Sequence, residues 1–307
     1  MEKLNIIKTQ NGEGISRFVL GAAGSGAYFN QILDRYLSSG GNCLDTAAVY
    51  GESERIIGRW LKSSGVDRKD LIISTKGAHP PIGDMKNSRM TEADISHDIE
   101  NSLVDLGTDY LDVYYLHRDD ENVPVGTIID ILNKYISKGA LLSLGASNWS
   151  VKRINEANEY AKQNGKAGFS FSQICYSFAN ITAKEYGDTT LVCMSDEDYA
   201  GYAENKIPVM AYSSQARGFF YKNFNDPSLA TGRFATSENL GRLDRLKFIC
   251  AQKNITPEEA VCAYLTSSAN PVTVLPIVAA SSVEQIERTL PGRDVQLTAG
   301  ELAFLKG

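Results

Sequence analysis

Four side chains stand out for what they could do together. Asp45, Lys76 and His117 close three successive short β-rich runs, and Tyr50 lies in the loop just after the first of them. A carbonyl that is to become an alcohol needs a hydride at carbon and a proton at oxygen. A free phenol, with a pKa of about 10, donates that proton only sluggishly at neutral pH. An ammonium beside the phenol stabilises the phenolate, and a carboxylate beside the ammonium keeps it charged and oriented when both are partly buried. Lys76 and Asp45 are the right types for these roles. His117 can orient the carbonyl oxygen or share the proton relay, since its two ring nitrogens allow either. Singly, each has an ordinary explanation: Asp45 closing a loop, Tyr50 packing its ring, Lys76 reaching solvent, His117 satisfied in a core. Only the combination points to acid catalysis.

Such side chains converge only if the elements carrying them end on one side. Eight β-rich runs recur, at 18–23, 42–47, 71–76, 111–117, 141–148, 169–176, 207–214 and 273–280, with segments of helical period between them. Ile56, Ile57, Trp60 and Leu61 share one helix face, and Ile95, Ile99, Leu103 and Leu106 form another stripe. Thr256-Pro257-Glu258-Glu259 carries the signature of a capped helix start. Alternating strands and helices with eight buried strands predict an α/β fold, a single (β/α)₈ TIM barrel over residues 1–307, whose strand C-termini form one mouth. An N-terminal cap is expected over about residues 1–17, and an extra helix before the last βα unit over about 237–254. A competing signal is Gly24-Ser25-Gly26-Ala27-Tyr28-Phe29 with Asp45 some twenty residues on, the spacing of a dinucleotide fingerprint. Phe29 stands where its third glycine belongs, and six further βα units follow, so the segment reads as a first βα loop.

Composition removes other classes. Of 307 residues, 43% are hydrophobic and 22% charged, and 31 basic against 37 acidic residues leave a net charge of −6. This is a globular composition with no general field for a polyanion, so neither nucleic acid nor membrane is expected as a partner. The five cysteines form no C-x-x-C pair and read as reduced thiols, and no apolar run reaches membrane length, so a cytoplasmic protein is expected. His79 and His97 have no ligand residues at metal spacing; both read as polar surface groups, and no metal is implied. Phe219, Phe220, Tyr221 and Phe224 could wall a mouth or simply pack a loop, and Trp149 is a similar case.

Asp45-Thr46-Ala47-Ala48-Val49-Tyr50-Gly51, followed by Glu54 and Gly58, resembles the signature of the aldo-keto reductase superfamily. Lys76 after Leu-Ile-Ile-Ser-Thr, and Tyr115-Leu116-His117-Arg118-Asp119, resemble that family's lysine and histidine segments. The resemblance covers nearly the whole chain and implies a (β/α)₈ barrel that binds an extended NAD(P)H. It implies that Ser147, Asn148 and Gln173 hold the nicotinamide carboxamide, and that Tyr212 stacks on its ring. By the same resemblance, Ser213, Gln215, Arg217 and Gly218 contact the pyrophosphate. Ala279, Ser281, Gln285 and Arg288 fall at the adenosine end. There the chain departs from the pattern: Ala279 replaces a glycine or lysine, and Arg288-Thr289 replaces a Glu-Asn pair. With no cation in 279–285, Arg288 is the nearest group for a 2′-phosphate, so NADP(H) is expected as the modestly preferred cofactor with NAD(H) also accepted. The expected activity is interconversion of an aldehyde, ketone or sugar-like carbonyl with its alcohol. The alternative is a cofactor-binding sensor or regulatory subunit with little turnover. Substrate and oligomeric state are not legible.

Overall fold

The computed structural model describes residues 1–23 and 26–307. Each of the eight β-rich runs contains a strand. After an antiparallel hairpin of β1 (Lys3–Lys8) and β2 (Gly14–Ser16) come β3 (Val19–Gly21), β4 (Cys43–Asp45), β5 (Ile72–Gly77) and β6 (Val113–Leu116). β7 (Leu144–Ser147), β8 (Phe169–Cys175), β9 (Val209–Tyr212) and β10 (Val274–Val278) complete the set. β3 to β10 pair in parallel in chain order, and β10 returns to β3 to close a barrel. This is a (β/α)₈ barrel, and a sheet closed in this way excludes the doubly wound alternative. Of the fingerprint-like loop, Gly24 and Ser25 lie outside the described residues.

Both faces of the strands are apolar because both are covered. Outward residues such as Leu44, Ile73, Tyr114 and Leu144 pack against helices whose stripes were legible as Ile57, Trp60, Ile95, Ile99 and Leu106. Inward residues near the strand starts, Val19, Cys43, Ile72, Val113, Phe171, Met210 and Leu275, form a separate cluster around Tyr115. Ile15, from the hairpin, is fully buried in that cluster and stops the N-terminal end of the barrel. Thr256 and Glu259 form the reciprocal cap that starts helix Pro257–Thr266, and a helix spans Ser237–Lys253 before it. Among the described residues no helix is long and apolar enough to cross a membrane.

The interior has room for Tyr115 only because its neighbour is small. Tyr115 lies opposite Gly145 in the β6–β7 ladder, and a Cβ on Gly145 would fall 2.3 Å from the tyrosine ring. Overpacking of this kind typically costs about 1 to 3 kcal/mol. Gly145→Ala is therefore expected to lower the unfolding free energy by that amount and the urea midpoint with it; an unchanged midpoint would mean that the barrel interior is not packed as described.

Candidate active site

The site begins with two charges on neighbouring strands. Asp45 is the last residue of β4 and Lys76 sits near the end of β5; the lysine is fully buried and the aspartate nearly so. Lys76 Nζ donates to Asp45 Oδ2 at 2.7 Å and to the Thr46 carbonyl at 2.6 Å. Asp45 Oδ1 accepts from Ser74 at 2.7 Å and from Gln173 Nε2 at 2.9 Å, so the carboxylate is held by three donors from two other strands, β5 and β8. Burial alone would pull the lysine's pKa down; the Asp45 carboxylate and the neighbouring Tyr50 hydroxyl outweigh it, and Lys76 lies above the ordinary lysine value. Glu54, in helix Ser53–Ser64, reaches the next residue along: Thr75 donates to it at 2.6 Å. Burial raises the Glu54 pKa above the usual carboxylate value.

Tyr50 covers this pair from the β4 loop. The Lys76 ammonium lies 5.0 Å from the centre of its ring, and the His117 ring meets it edge-on at 5.7 Å. The four side chains singled out in the sequence are thus brought together. His117 is buried, and its Nδ1 has no hydrogen-bond partner within the protein. Burial, reinforced by the positive charges of Lys76 and Arg118, drops its pKa well below the ordinary histidine value, so it is neutral.

His79 corrects the sequence reading. It is half-buried rather than a surface group, with its ring 4.7 Å from that of His117 and its Nδ1 2.6 Å from the Pro80 carbonyl. Chain spacing hid it, because it sits three residues beyond Lys76 in a loop that turns back over the mouth. His97 is exposed, paired with Asn101.

From Tyr50 and His117 a cleft of about 770 Å³ runs across the strand ends. Asp45, Tyr50 and His117 line it, together with all twelve residues expected around the cofactor; Lys76 lies behind Asp45. At the near end, Asn148 Oδ1 accepts from Tyr212 Oη at 2.7 Å and from Val192 N at 3.1 Å, and its Nδ2 reaches Ser147 Oγ at 3.2 Å. Beyond Tyr212 the backbone turns unusually: Ser213, Ala216, Arg217 and Gly218 have φ of 53°, 48°, 54° and 78°. Ser213 Oγ bonds the Tyr186 hydroxyl at 2.9 Å, and Gln215 Nε2 donates to Thr289 at 3.1 Å. At the far end, Gln285 Oε1 accepts from Ser281 N at 2.7 Å. Arg288 lies 3.4 Å from Glu258 and over the ring of Tyr221 at 5.1 Å, beside Ala279 in the cleft wall.

The sequence reading missed several lining residues: Arg118, Tyr186, Asp188, Leu191 and Lys222. Lys222 Nζ donates to the Arg217 carbonyl at 3.1 Å and adds a cation to the same wall. Of the aromatic cluster, only Tyr221 lines the cleft; Phe219 and Phe220 are buried in the core and Phe224 packs against it. Trp149 is likewise a core residue, its indole donating to the Arg118 carbonyl at 3.1 Å.

The geometry agrees with what the comparisons find. The model of the "Aldo/keto reductase family" matches residues 19–307, and the chain belongs to that family. It is similar to an aryl-alcohol dehydrogenase of Pestalotiopsis microspora, 28% identical with 89% of this chain and 70% of the relative covered. It is also similar to an uncharacterized oxidoreductase of Bacillus subtilis strain 168, 26% identical over 96% of this chain and 93% of the relative. Among solved structures, a thermostable aldo-keto reductase crystallised with the inhibitor epalrestat superposes with a TM-score of 0.75. That match has 21% identity, covers 100% of this chain and 99% of that one, and bears on the fold. The chain is an oxidoreductase of the carbonyl–alcohol type.

Because the folded-state pKa of His117 is depressed, the unfolded chain takes up its proton first. Any stability linked to this group is present above about pH 6.5 and lost as the pH falls below that value toward the folded pKa. Nitrogen-15 NMR of the imidazoles is expected to find His117 still neutral at pH 6; half-titration at or above pH 6.5 would contradict the buried environment described here.

Proposed function

We propose that the chain catalyses NAD(P)(H)-dependent interconversion of a small carbonyl compound and its alcohol, with Tyr50 giving and taking the proton. The observation that carries this reading is the placing of Tyr50 between a buried ammonium and a neutral histidine at the end of a long cleft. The cleft fits an extended dinucleotide: amide and hydroxyl groups cluster at one end, and Arg217, Lys222 and Arg288 line the other parts. Ser147, Asn148 and Gln173 would hold the carboxamide and Tyr212 would back the ring. The positive φ angles at Ser213, Ala216, Arg217 and Gly218 fold this segment into tight turns at the cleft wall, where it would meet the pyrophosphate. Gly218 takes the highest of these angles without strain. Ala279, Ser281, Gln285 and Arg288 would meet the adenosine end.

When bound, the nicotinamide supplies or accepts the hydride. The protein's own part is the proton. Lys76, kept charged by Asp45, stabilises phenolate character on Tyr50 as the proton leaves for the carbonyl oxygen. His117, neutral and with an unengaged ring nitrogen, is suited to hold that oxygen rather than to repel a positive neighbour. Relatives named as aryl-alcohol dehydrogenases put aromatic aldehydes and alcohols first among substrates to try.

Tyr50→Phe is expected to retain cofactor affinity while kcat falls by about 10² to 10⁴. Assay of the parent and variant against a panel of aryl aldehydes and sugar-like carbonyls, with both cofactors, checks this. Near-normal turnover in the variant would remove Tyr50 from the chemistry, and absence of turnover in the parent would favour a sensor.

Cofactor choice rests on Arg288. Its guanidinium is already paired with Glu258 at 3.4 Å, so a 2′-phosphate must compete for it, which argues for a modest preference. The parent is expected to bind NADPH somewhat better than NADH, and Arg288→Ala to lose about 1 to 3 kcal/mol for NADPH alone. Equilibrium titration decides it; a strong NADPH preference that survives the substitution would move the phosphate to another cation.

A further inference from the structure

Two cysteines take no part in the chemistry above, and the backbone joins them. Cys175 closes β8; Cys193 lies in the segment between helices Ala183–Tyr186 and Asp196–Asn205. They are bridge partners in a short parallel ladder, in which Cys175 N donates to the Val192 carbonyl and Met194 N to the Cys175 carbonyl, both at 2.9 Å. Neighbouring strands run about 4.8 Å apart and opposed residues share a face, which puts this pair inside the Cα separation of roughly 4.4 to 6.8 Å that a disulfide spans. The paired thiols interact, each the first influence on the other's titration. That interaction holds the Cys193 thiol below the usual cysteine value and, with burial, pushes Cys175 far above it. Of the five cysteines, Cys193 alone is not fully buried.

The same ladder touches the cleft twice. Val192, next to Cys193, donates its N–H to Asn148 Oδ1, and Leu191 lines the cleft wall. On its other side Cys175 is paired with Tyr212, whose hydroxyl bonds the same Asn148 oxygen. A bond drawn between the two sulfurs therefore pulls on the residues that set the near end of the cleft.

We propose that Cys193 is an oxidation site: a hydroperoxide converts it to a sulfenic acid, Cys175 resolves this to an intramolecular disulfide, and the linkage weakens cofactor binding. In the first step the Cys193 thiolate attacks the O–O bond; the peroxide is reduced and leaves, after protonation, as water or an alcohol, and the sulfur is oxidised to S–OH. In the second the Cys175 sulfur displaces that hydroxyl, its proton leaving with it as water. A dithiol reductant reverses the reaction. The effect on binding rests on the cofactor reading given above; formation of the bond does not.

The test treats the reduced full-length protein with hydrogen peroxide and follows intact mass and peptide maps alongside titrations of NADPH and NADH. The expected result is a 175–193 linkage, a several-fold loss of cofactor affinity, and recovery of affinity with dithiothreitol. Cys175→Ser should leave a sulfenic acid on residue 193 that dimedone traps, and Cys193→Ser should keep its affinity through the peroxide treatment. Absence of the linkage overturns the proposal, as does a linkage that leaves affinity unchanged. A reduced protein that binds neither cofactor overturns the cofactor reading instead, while the mass data still decide the disulfide.

Discussion

Two opposite charges, Asp45 and Lys76, are buried side by side at the mouth of the barrel, and the site's remaining groups are arranged around keeping them so. Taking a carboxylate and an ammonium out of water costs on the order of several kcal/mol each, and their attraction offsets this only when the other lone pairs and protons are also satisfied. Here they are: Thr46 accepts from the lysine, and Ser74 and Gln173 donate to the aspartate. Removing either partner would leave an uncompensated charge in the barrel wall. The pair is thus a poor source of stability and a good source of position, fixing an ammonium beneath the Tyr50 ring.

The neutrality of His117 is due first to burial, and the same pair reinforces it. A charged imidazole taken out of water is unfavourable, and a second positive charge beside Lys76 adds to the penalty. One buried cation thus bears on two neighbours: it lies against the Tyr50 ring on one side and disfavours a charged imidazole on the other. His79, edge-on to His117, has its pKa shifted downward too, by burial first and then by Arg118 and Arg89.

The strands and the four central side chains were legible in the sequence because barrel strands buried on both faces are apolar nearly throughout. An Asp, Lys or His at their ends is conspicuous against that background. The helix stripes Ile57–Trp60 and Ile95–Ile99–Leu106 were legible for the matching reason, one face against the barrel. Loops offered no such background. His79, Arg118, Tyr186, Asp188 and Lys222 come to the cleft through turns whose course has no period, so nothing in their spacing marked them. The aromatic run at 219–224 misled in the other direction: four similar residues divide between core and cleft according to the turn at Gly218, which composition does not encode. The Cys175–Cys193 pairing was equally hidden, since seventeen residues, helix Ala183–Tyr186 among them, lie between the two bridge partners.

The hairpin at the start of the chain has a bearing on the far end of the molecule. Ile15 closes the apolar floor built by Tyr115 and Phe171, so the inside of the barrel is filled and offers no passage from one end to the other. A change in the hairpin therefore reaches the cleft only through the strands that Ile15 packs against. The two ends of the barrel are thereby divided between tasks, one holding the strands together and the other free to vary its loops.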